Sequence, residues 1–503
     1  MSLKRYLVPG FKQFTPGGGS STLGDLLHFR AAVGAEAAAR TLMSDLAELH
    51  GIQGVLSVSA PADIPSQGDV VDVVLSLDPT LTDFATIDEP LRAEAYKLEV
   101  GERIILTAAT EQGLQWASRS FLQLIQSCGD SRALESGTAL DWPDYPVRGF
   151  LIDTGRRFMA PEFIRDLIRT LNWHKLNTLV IHLNDNEIAK DTGRSWDEAQ
   201  HGFRLRAESG EFAPLASTDG SYSRQDWDSF EDLAAARGIT IIAEIDAPAH
   251  SRAFIAQHPE LGRNNGNSDM LDLAGDHAVN FMKRLFDEFL PWFRGPVVHF
   301  GADEYERGLD EDFKRYFNQM AAHLRSAGKS PMAWGSITTM SGGAGAPAPE
   351  GYDRDVLICS WNNGWYGPKE AVADGYRILN TNDEWLYTVP YADYYCGDGL
   401  RLEKLWSDWE PHVFGGDEVL DKQHPQLLGS LSACWNDLVL MDYNEHDIFR
   451  MVSPTFPMLG QKMWGGTPEV MSFCEFSELT DRMADCPGRE FVNSQVAAVG
   501  GKD

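Results

Sequence analysis

Two adjacent carboxylates, Asp303 and Glu304, follow a short apolar run that has the composition of a buried strand. The run from Val297 to Phe300 suits a strand that is covered on both faces, as in a parallel sheet. Active sites of parallel α/β folds lie at the carboxyl ends of such strands. A strict two-residue period would send the two acids to opposite sides, so both serve one pocket only if the strand breaks into a loop there. A solvated acidic strand end has the same local sequence.

Polar and aromatic residues also end most of the other strands that we predict after residue 145. The acidic and basic positions are Asp153, Asp185, His250 and Asp437, and the tryptophans are Trp334, Trp361, Trp385 and Trp435. This combination suits a sugar, because the C–H faces of a sugar ring pack on aromatic planes while its hydroxyl groups need fixed acceptors. A single tryptophan is more often a core residue, but several at corresponding strand ends indicate a binding pocket.

The elements that position these residues alternate between strands and helices. The predicted strands are Arg148–Asp153, Thr178–Asp185, Thr240–Asp246, Val297–Asp303, Pro331–Ser336, Val356–Asn362, Arg377–Thr381 and Leu428–Trp435. Helical stretches between them include Pro161–Trp173, Trp227–Arg237, Ala278–Phe293 and Glu311–Ala327. Eight strands with helical crossovers predict an α/β fold, a (β/α)₈ barrel. A doubly wound open sheet is the alternative, but no G-x-G-x-x-G sequence follows the first strand.

The first 145 residues predict a smaller α+β domain. We expect a helix-rich stretch from Thr22 to Gly51, a strand at Val70–Leu77, a hairpin formed by Tyr96–Val100 and Ile104–Ala109, and a helix at Gln112–Gln126. No catalytic constellation is visible in this part. We therefore divide the chain into an accessory domain, residues 1–145, and a catalytic barrel with a carboxyl-terminal tail, residues 146–503.

Composition narrows the class of partner. The 503-residue chain has a formal net charge of −31, which opposes nucleic acid and anionic membranes. Its six cysteines show no C-x-x-C spacing, which argues against a structural zinc site and against a disulfide framework. The basic start lacks a following apolar segment typical of a signal peptide, and no run is apolar enough to span a bilayer. We expect a cytoplasmic protein without a cofactor or metal.

The chain resembles glycoside hydrolase family 20, the β-N-acetylhexosaminidase family. The H-x-G-G-D-E motif of the family corresponds to the segment from His299 to Glu304, and its R-G-x-x-x-D motif to the segment from Arg148 to Asp153. The remaining matches are K-x-N at Lys175 to Asn177, H-L-x-D at His182 to Asp185, E-I-D-x-P-x-H at Glu244 to His250, and W-x-[ED] at Trp435 to Asp437. The resemblance covers most of the chain beyond residue 90.

The resemblance implies a substrate-assisted mechanism, an exception to the usual pair of carboxylates in glycosidases. Glu304 is expected to protonate the glycosidic oxygen and then to activate water, and Asp303 to orient the 2-acetamido group whose carbonyl oxygen attacks. The negative charge of Asp303 should favour the protonated form of Glu304. Asp185 and His250 are expected to support Glu304.

The same resemblance implies the sugar contacts. Arg148 is expected to donate to the O3 and O4 hydroxyls, and Asp437 to accept from O4 or O6. Tyr387 would hydrogen-bond the acetamido carbonyl, with the neighbouring Trp385 as the alternative. Trp334, Trp361 and Trp435 would form the walls of the pocket.

Departures from the family pattern leave the specificity open. Ala302 replaces a glycine, Val389 stands where many members have an acidic residue, and Asp437 is shorter than the usual glutamate. The expected substrate is an oligosaccharide that carries a terminal GlcNAc or GalNAc, with a lacto-N-biosidase-like enzyme that releases a disaccharide as an alternative. A homodimer is compatible with the sequence.

Two other classes of protein stay open. One is a catalytically silent sugar-binding barrel. The other is a metal-dependent hydrolase that uses His182, His250, His299 and Asp303, although no H-x-H or H-E-x-x-H spacing supports it.

Overall fold

The computed structural model describes residues 7–58, 70–188, 193–337, 350–483 and 486–491. A mixed seven-stranded sheet precedes the barrel, and its spatial order is β1-β7-β5-β6-β4-β2-β3. Its strands are β1 (Gln13–Thr22), β2 (Leu26–Ala31), β3 (Gln53–Val58), β4 (Asp72–Leu77), β5 (Tyr96–Val100), β6 (Ile104–Ala108) and β7 (Ala133–Asp141). Helices Glu36–His50 and Glu111–Cys128 belong to this domain.

The predicted hairpin is confirmed, because β5 pairs antiparallel with β6 from Tyr96 opposite Ala108 to Val100 opposite Ile104. The predicted helix over Thr22–Gly51 is wrong in its first half. Leu26–Ala31 is a strand whose inward residues Leu27, Phe29 and Ala31 alternate with polar ones, and the helix begins only at Glu36. Leucines at 23, 26 and 27 imitate helical spacing, whereas the two-residue period after them indicates the strand.

Eight parallel strands form a closed barrel in the second part of the chain. They are β8 (Val147–Asp153), β9 (Thr178–His182), β12 (Thr240–Ala247), β13 (Val297–Gly301), β14 (Ser330–Trp334), β15 (Leu357–Ser360), β16 (Arg377–Asn380) and β18 (Leu427–Cys434). The pairing of β16 with β18 closes the barrel. The predicted (β/α)₈ architecture and all eight of its strands are confirmed.

Apolar side chains fill the barrel interior. Leu151, Val180, Ile242, Met332 and Leu431 come from five different strands and are all buried. Helices pack against the outer faces of strands such as β12 and β14, so these strands are buried on both sides and lack the regular polar alternation of a half-exposed strand. The interior of the barrel is therefore a packed core, and we expect ligands to bind at an end of the barrel.

Helices surround the barrel. They are Pro161–Trp173, Arg224–Arg237, Arg252–Gln257, His277–Phe289, Asp310–Ser326, Asn363–Tyr366, Pro368–Ala373, Asp383–Leu386, Leu402–Asp408, Glu445–Val452, Thr455–Gly465 and Phe473–Arg482. Pro161 opens the first of them, where a missing backbone N–H costs nothing. Within the described part of the chain, every helix is too short or too polar to cross a membrane.

Short excursions at the carboxyl ends of the strands shape the top of the barrel. A two-stranded antiparallel ribbon, β10 (Asn184–Asn186) and β11 (His201–Phe203), follows β9. The two-residue strand β17 (Tyr387–Thr388) lies beside the end of β18. These excursions carry some of the residues that were predicted to form the site, including Asp185 and Tyr387.

Candidate active site

A cavity of about 780 Å³ opens at the carboxyl ends of the barrel strands. Its walls include the predicted residues Asp185, His250, Asp303, Glu304, Trp334, Trp361, Tyr387, Trp435 and Asp437. Further lining residues, which were not assigned a role from the sequence, are Arg156, Asn186, Ile188, Trp196, Asp246, Asp269, Met270, Trp365, Tyr394 and Tyr395. The structure therefore brings nine of the eleven predicted site residues into one hollow.

Strand β13 stops just before the two acids, as a shared pocket requires. Gly301 and Ala302 have positive φ angles of 74° and 68°. A Cβ atom at Gly301 would lie 1.7 Å from Oδ1 of Asp246, so only glycine fits there. The break turns both acids toward the cavity, where the Asp303 side chain is 13% exposed and that of Glu304 is 45% exposed.

His250 joins the two acids to Asp185. Its Nδ1 lies 2.9 Å from Oδ1 of Asp185, and its Nε2 lies 3.3 Å from Oε2 of Glu304 and 3.7 Å from Oδ2 of Asp303. Burial lowers the pKa of His250, but the nearby carboxylates outweigh burial and hold the pKa well above its ordinary value. The imidazole is therefore protonated and can donate from both nitrogens.

The expected protonation of Glu304 is not found in the free protein. Burial raises the pKa of Glu304, yet the hydrogen bond and the charge of His250 bring it below its ordinary value. The neighbouring carboxylate instead affects Asp303: burial first, and then the charge of Glu304, raise the pKa of Asp303 to about 6. The prediction overlooked that a cation stands closer to Glu304 than to Asp303.

Asp246 is a buried acid to which the sequence assigned no role. Its carboxylate, a nitrogen of His250 and a carboxylate oxygen of Asp303 lie within 4.8 Å of one another. Burial, followed by the charge of Asp303, raises the pKa of Asp246 well above its ordinary value. Asp246 and Asp303 consequently form a coupled pair of buried acids in which the pKa of each is raised.

Aromatic rings form the floor and one wall of the cavity. The ring centroids of Trp334 and Trp435 are 5.6 Å apart, and those of Tyr387 and Trp435 are 5.7 Å apart. Trp361 stacks on Trp365 at 5.9 Å. The indole N–H groups of Trp361 and Trp435 are buried and make no hydrogen bond to other described residues, so these rings meet the cavity with their apolar surfaces.

Trp385 does not belong to this wall. It lies in the short helix Asp383–Leu386, outside the cavity lining, with the ammonium group of Lys404 4.3 Å from its ring centroid. Two residues further on, the strand β17 directs Tyr387 into the cavity. Of the two candidates for the contact with the acetamido carbonyl, only Tyr387 therefore lines the cavity.

Arg148 is wrongly predicted as a sugar ligand. It is the second residue of β8, at the amino end of the barrel, and it is completely buried. Its guanidinium pairs with Glu94 of the first domain at 2.5 and 2.9 Å. Because the cavity lies at the opposite end of the strand, Arg148 instead connects the two domains.

Arg156 is the arginine that reaches the cavity. It follows β8 at its carboxyl end, and its Nη1 lies 2.7 Å from Asp185, 3.0 Å from Asp153 and 3.5 Å from Asp437. The sequence contains the signal, since Arg156 stands three residues beyond the acid that ends the first predicted strand. The family motif pointed instead to Arg148 at the start of that strand, where an α/β barrel has no site.

Asp437 lies in the lining with both oxygens engaged. Oδ1 lies near Arg156, and the hydroxyl group of Tyr394 donates to Oδ2 at 3.0 Å. Val389 is buried and lies outside the lining. Asp437, which is shorter than the usual glutamate, thus lies where a contact with a sugar hydroxyl was predicted, and it accepts a hydrogen bond from the exposed Tyr394.

Three groups of described residues are close enough to hold a cation: Asp153, His182 and Asp185; His182, Glu244 and Asp246; and Asp246, His250 and Asp303. In the first two, both ring nitrogens of His182 already face carboxylate oxygens, at 2.8 and 3.0 Å. The contact with Asp185 is a hydrogen bond of charge-assisted length, and the contact with Glu244 is an ion pair.

Family models match both parts of the chain. The model described as "Glycosyl hydrolase family 20, catalytic domain" covers residues 145–467, and "Glycosyl hydrolase family 20, domain 2" covers residues 4–142. Together they extend over both the mixed sheet and the barrel.

Curated relatives include a lacto-N-biosidase of Bifidobacterium bifidum, which is 24% identical in an alignment that covers 91% of this chain but 39% of that protein. A beta-hexosaminidase of Vibrio furnissii is 28% identical over 81% of this chain and 69% of its own length. The crystal structure of a beta-N-acetylhexosaminidase from Bacteroides fragilis matches with a TM-score of 0.74 at 21% identity, over 95% of both chains.

Proposed function

This chain belongs to glycosyl hydrolase family 20, and we propose that it is a retaining exo-β-N-acetylhexosaminidase that uses the acetamido oxygen of its substrate as the nucleophile. One observation carries the proposal: Asp303 and Glu304 both reach the same nitrogen of His250, at 3.7 and 3.3 Å. A usual retaining site needs an acid and a nucleophile on opposite sides of the sugar. Two adjacent acids that are held at one imidazole nitrogen suit neighbouring atoms of the substrate, Glu304 the glycosidic oxygen and Asp303 the acetamido group, and substrate assistance is the exception that this family provides to the usual scheme.

Asp303 is suited to the acetamido group. Its side chain lines the cavity and is 13% exposed, so its carboxylate can accept the amide N–H of the sugar. As the carbonyl oxygen of the substrate attacks C1, positive charge develops on the forming oxazolinium ring, and the Asp303 carboxylate stabilises that charge. The hydroxyl group of Tyr387 can hold the carbonyl in place.

Glu304 then acts in both steps. It gives its proton to the glycosidic oxygen as the bond to C1 breaks, and it takes a proton from the water that opens the oxazolinium ring. Two attacks at C1 leave its configuration unchanged. Glu304 is ionised in the free protein, but its side chain is 45% exposed. A bound sugar covers it, and the loss of water raises its pKa toward the protonated form that the first step needs.

A kinetic panel tests the proposal. Aryl β-glycosides of GlcNAc and GalNAc should be hydrolysed with retention, as seen by NMR of the first-formed anomer, whereas the aryl glucoside should not be hydrolysed. Turnover of the glucoside at the rate of the GlcNAc compound, or inversion at C1, would refute it. No turnover of any glycoside together with sugar binding would leave a silent binding protein.

Release of a disaccharide is the second candidate, and two observations favour it. The cavity of about 780 Å³ lies in the upper part of the range for sites that enclose a whole drug-sized ligand. In addition, the chain is similar to a lacto-N-biosidase over 91% of its length. An aryl lacto-N-bioside in the same panel separates the candidates, because a disaccharide-releasing enzyme cleaves it faster than the aryl GlcNAc compound.

A further inference from the structure

A chain of buried side chains leads from the aromatic wall of the cavity to the rim acid Glu304. The indole N–H of Trp334 donates to Oε1 of Glu244 at 2.7 Å. Oε2 of Glu244 lies 3.0 Å from Nδ1 of His182, and Nε2 of His182 lies 2.8 Å from Oδ2 of Asp185. From Asp185 the chain continues through the two ring nitrogens of His250 to Glu304.

His182 is held between two carboxylates. Nε2 hydrogen-bonds Asp185, and Nδ1 lies at ion-pair distance from Glu244, so the two carboxylates favour a ring that is protonated on both nitrogens. Burial disfavours that charge, but Glu244 and Asp185 together hold the pKa of His182 well above its ordinary value. The charges therefore alternate along this row of side chains: Glu244 is negative, His182 is positive and Asp185 is negative.

His299 shows that this state is specific to His182. The two histidines are equally buried, and both lie near Glu244. However, Nδ1 of His299 accepts a hydrogen bond from the backbone N–H of Gly301, so it carries no proton. Burial lowers the pKa of His299 to about 4. His299 is neutral, whereas His182 is the charged member of the pair.

We propose that Glu244 and His182 are positioning residues that keep Asp185, and through it His250, in the orientation that makes Glu304 a competent proton donor. The role assigned to Glu304 rests on the proposed function, whereas the charge state of His182 does not. Oδ2 of Asp185 also pairs with the guanidinium group of Arg156 at 2.7 Å. Without His182, that oxygen would be left to Arg156 alone, and the carboxylate could turn away from His250.

Glu244 has a second task in this arrangement. Glu244 accepts from Trp334 and pairs with His182 at 3.0 Å. One carboxylate therefore holds both a wall of the sugar pocket and the far end of the row of side chains that supports Glu304. The groups that face His182 and His250 from neighbouring elements are Glu244, Asp185, Asp246, Asp269, Asp303 and Glu304. Of these, only Glu244 contacts both Trp334 and His182.

The variant Glu244→Gln tests the proposal, and Glu231→Gln is its matched control. Glu231 is another buried glutamate that accepts an indole N–H, from Trp227 at 3.2 Å, but it lies on a helix outside the cavity. The two substrates are phenyl and 2,4-dinitrophenyl N-acetylglucosaminides. The phenyl group needs protonation to leave, and the dinitrophenyl group does not.

We expect Glu244→Gln to lower kcat on the phenyl substrate about ten- to a hundredfold, less than the 10²–10⁴ that a general acid itself contributes, with a much smaller loss on the dinitrophenyl substrate. Glu231→Gln should change neither. An equal loss on both substrates, or no loss on either, would overturn the proposal. Thermal melting of each variant identifies a loss that comes from misfolding.

A second measurement does not depend on activity. The full-length protein is labelled with ¹⁵N-histidine, and the NMR signal of His182 is identified by its disappearance in the variant His182→Gln. This signal should show two protonated ring nitrogens from pH 6 to 8. A neutral tautomer of His182 at pH 7 would overturn the proposal even in an active enzyme. If His182 is charged but neither glycoside is hydrolysed by the unmodified protein, the proposed function is wrong. The charge state inferred for His182 is then still confirmed.

Discussion

Nε2 of His250 lies 3.3 Å from Oε2 of Glu304, and this contact decides which acid is ionised in the free protein. It holds the pKa of Glu304 below its ordinary value, while Asp303, which is more deeply buried and further from the same nitrogen, has its pKa raised to about 6. The surroundings thus lower the pKa of Glu304 and raise the pKa of Asp303, as expected for two carboxyl groups that have different roles.

Replacing Glu304 by Gln should abolish acid catalysis and leave sugar binding intact. The amide keeps the size of the side chain but has no proton of suitable acidity. We expect kcat on an aryl GlcNAc substrate to fall by about 10²–10⁴, with the affinity for a thiazoline mimic of the cyclised intermediate retained in calorimetry. Glu306→Gln is the control, since Glu306 pairs with Arg263 on the surface. Full activity of Glu304→Gln would refute the assignment.

The activity of the enzyme should fall on the acid side of about pH 6. Asp303 must be ionised to stabilise the oxazolinium charge, and its pKa is raised to about 6. Below that pH the free enzyme carries a neutral Asp303, so kcat/KM should drop about tenfold for each further pH unit. A profile of kcat/KM against pH measures this directly. A value that stays constant down to pH 4.5 would contradict the role of Asp303.

Two tryptophans near the carboxyl ends of neighbouring barrel strands should behave differently. Trp435 lines the cavity, whereas Trp385 lies outside it under Lys404. Trp435→Ala removes a wall of the sugar pocket, and we expect the Kd of the thiazoline inhibitor to rise about tenfold or more, which corresponds to about 1.4 kcal/mol. Trp385→Ala should leave that Kd unchanged. Equal losses in the two variants would mean that the pocket is assigned wrongly.

Arg148→Met should destabilise the protein without changing the KM of the molecules that remain folded. The substitution leaves Glu94 charged and buried without its partner at the contact between the domains. Breaking a buried ion pair in this way costs about 3–5 kcal/mol, which denaturant unfolding would detect. A raised KM with unchanged stability would restore Arg148 as a sugar ligand.

A chelator separates substrate assistance from the metal-dependent alternative. Three groups of described side chains could hold a cation, but every step of the proposed mechanism is assigned to protein and substrate atoms. Activity should be unchanged after dialysis against EDTA. A loss that added zinc or magnesium restores would instead support the metal-dependent hydrolase.

The barrel could be predicted from the sequence because its signals are local. Apolar runs such as Val297–Phe300 repeat eight times between helical stretches, and a strand end places its polar residues at one edge of the sheet. The cavity residues that follow from this rule, from Asp185 to Asp437, were found without the structure. The prediction for Arg148 was wrong because the family motif was matched to the wrong arginine. The rule that sites lie at the carboxyl ends of the strands favours Arg156 instead.

Charge states could not be derived in the same way. The chain shows that Asp303 and Glu304 are adjacent, and adjacency alone predicted a protonated Glu304. The result depends on His250, which is distant in sequence and is itself held by Asp185. The row of contacts through His182 and Glu244 is similarly non-local, because its members lie on different strands and meet only in the closed barrel.

The most direct test of substrate assistance varies the nucleophile within the substrate. Aryl glucosaminides that carry N-acetyl, N-fluoroacetyl and N-trifluoroacetyl groups differ in the electron density on the carbonyl oxygen, while the leaving group stays the same. If that oxygen attacks C1, kcat should fall steadily along the series, by at least about tenfold overall, which is about 1.36 kcal/mol in the barrier. Equal kcat values across the series would contradict the mechanism.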